Sequence, residues 1–155
     1  AKIIQLLKIE TSSKTKIEVP GFILERTAKR MKQYFQRALA SADAGITIDQ
    51  WVILQQLHIQ DGLSQLHLAK ATYKDAPTVT RIIDLLCKKD LTVRVPDEAD
   101  RRRFKIQLTE GGKAKIEEVL PIIKEARTVA WNNLDDEQIT QLEVTLNQIF
   151  DNLEF

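Results

Sequence analysis

Apolar residues recur with a helical period along most of this chain and switch to alternation in one short stretch. The first long stripe is Leu24, Ala28, Met31, Phe35, Ala38 and Ala42, stepping by 4, 3, 4, 3 and 4 residues. That is one face of an α-helix with a heptad-like seam. Pro20-Gly21 reads as the turn that opens it, and Asp43-Ala44-Gly45 as its end. Upstream, residues 1–10 can form a short amphipathic helix through Ile3, Ile4 and Leu7, and the polar run 11–19 reads as loop or extended chain. Thr47 is placed to cap the next helix, IDQWVILQQLHI, with Asp49 in its first turn. That helix is apolar around most of its circumference, which predicts burial.

Asp61-Gly62 breaks the pattern, and Ser64 then caps a short helix, QLHLAKATY, with Leu66, Leu68 and Ala69 inward. Tyr73-Lys74-Asp75 is the turn into a further helix whose inner face is Val79, Ile82, Ile83 and Leu86. Pro77 falls in its first turn, where a missing N–H costs nothing. Two helices meeting at a tight corner make a helix-turn-helix. Alternation follows, in Leu91 to Val95 and Phe104 to Leu108, around a polar turn that ends Asp100-Arg101-Arg102-Arg103. Helix, strand, basic turn, strand is the layout of a winged helix. Thr109 then caps a long helix with Ile116, Val119, Ile123, Ala126 and Ala130 on one face, and Pro121 predicts a kink in it. A last helix starts near Asp135 and carries Ile139, Leu142, Leu146, Ile149 and Leu153.

The expected fold class is therefore mainly α: a winged helix-turn-helix with a small β-hairpin wing, plus long terminal helices. The chain, 1–155, reads as a single domain. Its lobe for nucleic acid spans 47–108, and the helical segments 20–43 and 109–155 serve dimerisation. Apolar stripes outside a small domain need a partner, and a second copy is the cheapest one.

Charge sharpens this picture. The net charge of +1 divides unevenly, with +3 over residues 1–69, +4 over 70–105 and −6 over 106–155. The basic excess lies in and before the winged helix, as suits one face on DNA and another turned away. A single cysteine, Cys87, allows no intrachain disulfide, so the cytoplasm is the simplest compartment. No apolar run approaches the ~20 residues of a membrane span, and AKIIQLLKIE is a poor signal peptide.

The chemistry that this layout offers is recognition of double-stranded DNA. Thr78, Thr80 and Arg81 lie off the apolar stripe of the second helix of the corner, and Arg81 can bond guanine O6 and N7 together. Thr72 and Lys74 are candidates for phosphate contact. Arg101, Arg102 and Arg103 crowd one turn, where like charges repel unless an anion uses them. Asp100 is placed to pair with Arg102 and hold it extended. A solvated helix face and a solvated hairpin tip would carry the same residues, so the corner and wing together make the case. Neither His58 nor His67 has a Cys or carboxylate at ligand spacing, so no metal is expected. No phosphate loop, Ser/His/Asp order or paired-carboxylate site supports an enzyme, and no cofactor is expected.

These residues also carry a family resemblance. Thr47-x-x-Gln50-Trp51-x-Ile53-Leu54, Gly62-Leu63-Ser64, Leu68-Ala69, Pro77 through Leu86, Asp97-x-x-Asp100-x-Arg102 and Leu108-Thr109-x-x-Gly112 occur in an order that resembles the MarR family of bacterial transcriptional regulators. The resemblance covers roughly residues 20–155. It implies an obligate homodimer joined by its terminal helices, a palindromic promoter site, and release by a small anionic phenolic ligand or by oxidation. Many members carry Glu where His67 stands, completing a capping box that is lost here. The peroxide-sensing branch carries a reactive cysteine near the start of its first long helix, and this chain has none there.

The resulting expectation is a homodimeric regulator, a repressor, released by a small aromatic or anionic effector. The effector would sit between the dimer helices and the winged helix, with Met31, Tyr34, Trp51 and His58 as candidate contacts; Met31, Tyr34 and Trp51 are equally at home in a core. Two alternatives stay open. One is a winged helix that binds protein and no specific DNA; the other is a redox sensor built on Cys87.

Overall fold

The computed structural model describes the backbone from Lys2 to Phe155 and side chains from Pro20 onward. Its elements in order are α1 (Lys2–Ser41), α2 (Ile48–Ile59), β1 (Leu63–Ser64), α3 (Gln65–Thr72), α4 (Ala76–Lys88), β2 (Thr92–Pro96), β3 (Phe104–Leu108), α5 (Glu110–Ala130) and α6 (Asp136–Asn152). The expected break before Pro20 is absent: α1 is one helix through residues 11–19, with Pro20 inside it. Ser, Thr and Lys are only mildly unfavourable in a solvated helix, and the run holds no glycine. The stripe Ile3, Ile4, Leu7 lies outside the described side chains. Helix α5 likewise continues through Pro121.

The polar residues expected to start helices do so. Thr47 and Gln50 form a reciprocal capping box on α2, and Asp135 and Gln138 do the same on α6. Ser64 accepts from the His67 amide, and Thr109 from the Gly112 amide. Ser64 receives nothing back from His67, so that cap is one-sided. Tyr73 adopts a left-handed conformation (φ 53°), which ends α3 and turns the chain into α4.

The core lies where α2, α3, α4 and α5 meet the sheet. Trp51, Ile53, Leu54 and Leu57 enter from α2, Ile83 and Leu86 from α4, Ile116 and Ile123 from α5, and Leu39 from the end of α1. Leu68 and Ala69 are buried as expected, but Leu66 is exposed. In an eight-residue helix the inward arc is too narrow for all three. The sheet has the order β1-β3-β2 and is antiparallel throughout, with Arg94 opposite Ile106 in the hairpin and Leu63 opposite Ile106 on the other edge.

At its C-terminal end the sheet abuts α5. The Leu91 carbonyl accepts from the Thr109 amide, and a Cβ on Gly112 would overlap that carbonyl. The glycine of the Leu108-Thr109-x-x-Gly112 motif is thus explained by close backbone approach. Helix α6 differs from the rest, because none of its residues is buried.

Candidate nucleic-acid interface

Helix α4 is strongly two-sided. Val79, Ile82, Ile83 and Leu86 are buried, while Thr80, Arg81 and Asp84 are exposed and Thr78 is half-buried. Its N-terminus is built by Asp75, whose carboxylate accepts from the Thr78 amide (2.8 Å) and the Thr78 hydroxyl (2.9 Å). Those bonds, the backbone one first, hold the Asp75 carboxyl below the usual carboxylate range. Arg81 makes no hydrogen bond or ion pair among the described residues, so its guanidinium is available to a partner.

The wing tip is shaped by two aspartates. The Asp97 carboxylate accepts from the Ala99 amide (2.9 Å), and the Asp100 carboxylate from the Arg102 amide (3.0 Å). A backbone bond from Arg103 N–H to the Asp100 carbonyl (2.9 Å) closes the turn. The Asp97-x-x-Asp100-x-Arg102 pattern is therefore a pair of side-chain-stabilised turns. This corrects the expected Asp100–Arg102 ion pair. Asp100 reaches Arg102 only through its amide, and its second oxygen lies 3.6 Å from Nε of Arg103. The turn carries the Arg103 side chain back over Asp100 and leaves Arg101 and Arg102 exposed and unpaired among the described residues.

Both candidates for phosphate contact at the corner are already engaged. The Thr72 hydroxyl donates to the Leu68 carbonyl at 2.6 Å. Lys74, 20% exposed, holds Asp49 of α2 at 2.8 Å, and Lys32 of α1 holds the same carboxylate at 3.2 Å. Burial pushes the Asp49 carboxyl up, but the hydrogen bonds and charges of Lys74 and Lys32 outweigh it, and the net shift is downward. Asp49 thus ties α1, α2 and the α3–α4 corner together.

One polar cluster was not foreseen from sequence. Arg94 of β2 pairs with Asp84 of α4 (2.6 Å) and donates from Nε to the Gln65 carbonyl oxygen at the start of α3 (3.0 Å). Gln65 Nε2 donates in turn to the Thr80 hydroxyl (3.0 Å), which donates to the Ala76 carbonyl (3.0 Å). These bonds join wing, corner and outer helix face. The only signal in sequence was Arg94 standing at a polar position of an alternating strand.

The four residues expected to line an effector crevice differ in burial. Trp51 is 2% exposed and belongs to the core, because α2 is buried on the side that carries it. Met31 is half-buried, and Tyr34 and His58 are exposed. A cleft between α1 and α2 has a volume of about 510 Å³ and a lining that includes Lys29, Lys32, Gln36, Arg37, Thr47 and Asp49. Cys87 is half-buried, with its sulfur 3.4 Å from the Thr92 hydroxyl. Among the described residues no group of three His, Cys, Asp or Glu is placed to hold a metal, and no helix is long and apolar enough to cross a membrane.

Known proteins resemble this chain in sequence and fold. The MarR family profile matches residues 46–104, which span the corner and most of the wing. The HTH-type transcriptional repressor NicR of Pseudomonas putida is 30% identical over 118 residues, covering 76% of this chain and 73% of the relative. The chain belongs to the MarR family. Among solved MarR-like structures, BpsR of Bordetella bronchiseptica, whose DNA binding is regulated by 6-hydroxynicotinic acid, is 29% identical. It superposes with a TM-score of 0.78 over 84% of this chain and 92% of that one. MepR of S. aureus, solved as a DNA complex, is 30% identical with a TM-score of 0.77 over 86% and 97%. As a MarR-family protein, the chain is a DNA-binding transcriptional regulator, and the three-stranded sheet with its basic hairpin is the wing of that fold.

Proposed function

We infer that this MarR-family protein binds a palindromic DNA site as a homodimer and is released from it by a small anionic aromatic compound. One observation carries the DNA reading. The exposed Arg81 face of α4 is braced to the wing by the Asp84–Arg94 pair, so helix and basic turn are presented as one unit. Helix face and wing tip match the two parts by which winged helices engage a groove and its backbone. Thr78, Thr80 and Arg81 are the base-reading candidates. Arg101 and Arg102 are the backbone candidates, and Thr72 and Lys74 position the corner. Selection of bound sequences from a random pool tests this: an inverted repeat is expected, and an unconverged pool would overturn it.

Ligand release is favoured over oxidation because Cys87 is half-buried beside Thr92, at a helix end whose dipole disfavours a thiolate. Lys29 and Arg37 of the α1–α2 cleft suit a carboxylate, Lys32 there being held by Asp49, and the similarity to BpsR, whose DNA binding is regulated by 6-hydroxynicotinic acid, makes that compound the first trial. Such a ligand must bind the DNA-incompetent arrangement more tightly in order to shift the population. Titrating it against the protein–DNA complex is expected to release DNA. Release by peroxide from the parent and not from Cys87→Ser would reverse the ranking.

A further inference from the structure

The hydrogen bonds that run from Asp84 to Thr80 have a fixed direction. An ionised aspartate only accepts and an arginine only donates. Arg94 Nε therefore requires the carbonyl oxygen of Gln65 to face it, and the 3.0 Å contact is with that oxygen. The Gln65 amide then has only its NH2 group to offer Thr80, which it does at 3.0 Å. Thr80 has one proton and gives it to the Ala76 carbonyl, a bond within its own helix, while the Gln65 NH2 takes up one of its lone pairs. Thr80 is exposed, and one lone pair is left for a partner.

In the major groove, adenine N6 and cytosine N4 are donors, while thymine O4 and guanine O6 are acceptors. A free threonine hydroxyl rotates and can serve either kind. We propose that Thr80, its proton held by the Ala76 carbonyl and its hydroxyl fixed in place by the Asp84–Arg94–Gln65 relay, acts as an acceptor toward DNA, selecting adenine or cytosine over guanine or thymine at one position in each half-site. This rests on the reading above that α4 enters the groove, and it makes Arg94 and Gln65 positioning residues that need not touch DNA. Asp84 contributes by holding Arg94 at 2.6 Å, which fixes the planar guanidinium and hence the angle at which Nε meets Gln65.

The test is selection from a random duplex pool with the parent, Thr80→Val, Thr80→Ser, Gln65→Met and Arg94→Met, each first checked for an unchanged thermal melt. The parent is expected to enrich adenine or cytosine at one position per half-site, by about fivefold or more. Thr80→Val flattens that position and Thr80→Ser keeps it. Gln65→Met and Arg94→Met weaken it, because the hydroxyl loses the bond that fixes its place, and in Gln65→Met the salt dependence of binding stays as in the parent. The relay is overturned if Gln65→Met keeps the parental preference, or if the position flattened by Thr80→Val prefers guanine or thymine. A salt slope lowered by about one unit in Arg94→Met also overturns it, since Arg94 would then be neutralising a phosphate itself. A parental pool that never converges is a different result, and removes the DNA reading on which the proposal stands.

Discussion

At the scale of single residues, the arginines of the lobe divide by what already holds them. Arg94 is paired and braced, Arg103 leans on Asp100, and Arg81, Arg101 and Arg102 are unpaired among the described residues. Arg81→Ala is expected to cost ~1–3 kcal/mol on a selected site and much less on random DNA, because a base-edge contact discriminates and a phosphate contact does not. Equal losses on both, measured by fluorescence anisotropy, would assign Arg81 to phosphate. Arg102→Ala is expected to weaken binding to most sequences and lower the salt slope by about one unit. Parental affinity at every salt concentration would leave the wing tip a solvated turn.

Asp49 gives a residue-level prediction with a pH sign. Its folded pKa is depressed, so its contribution is present above the unfolded value near 3.8 and is lost as pH falls through the folded value. The carboxylate is more than a third exposed, so solvent screens the pairs and their worth stays under ~1 kcal/mol. Asp49→Asn should lower the melting temperature near pH ~7 and match the parent once the pH is well below that range. A constant gap between the two across the whole titration would mean that the Lys32 and Lys74 contacts contribute nothing through charge.

At the scale of elements, the helices were legible because their signals are local. Thr47, Ser64, Thr109 and Asp135 each sit beside the amides they cap, and the 3-4 steps of Val79, Ile82, Ile83 and Leu86 name a buried face without reference to the rest of the chain. What stayed hidden depends on distant partners. Strand β1 is two residues long and exists only because Leu63 and Ser64 meet Ile106 and Lys105 of β3. Gln65 and Arg94 are 29 positions apart, and neither shows in its own surroundings that it will meet the other. Lys74 looked free for phosphate because nothing nearby in sequence announces Asp49. Gly112 joins the two cases, since its motif was visible and its cause was not. Gly112→Ala forces the start of α5 away from the Leu91 carbonyl, and ~1–3 kcal/mol of stability should go with it. Unchanged denaturant midpoints would show that the α5–sheet junction yields freely.

At the scale of the whole molecule, α6 has no reason to be helical and amphipathic within one chain. Its stripe of Ile139, Leu142, Leu146, Ile149 and Leu153 buries nothing fully, and Phe22, Ile23 and Leu24 of α1 are exposed as well. The acidic excess over residues 106–155 disfavours contact with DNA at this end of the chain, while its apolar stripe still needs cover. A second copy would cover both helices at once and would set the spacing of two α4 helices on successive turns of a duplex. Burying these surfaces should give an obligate interface of ~2,000 Å² or more. Sedimentation at micromolar protein is expected to show a dimer, and Leu146→Asp or Ile149→Asp to shift it to monomer. DNA affinity should then fall far more than the loss of any single contact allows, since two half-sites would be bound independently. A parent that sediments as a stable monomer, or a monomeric variant that binds the selected site at parental affinity, would mean that the terminal helices serve some other partner.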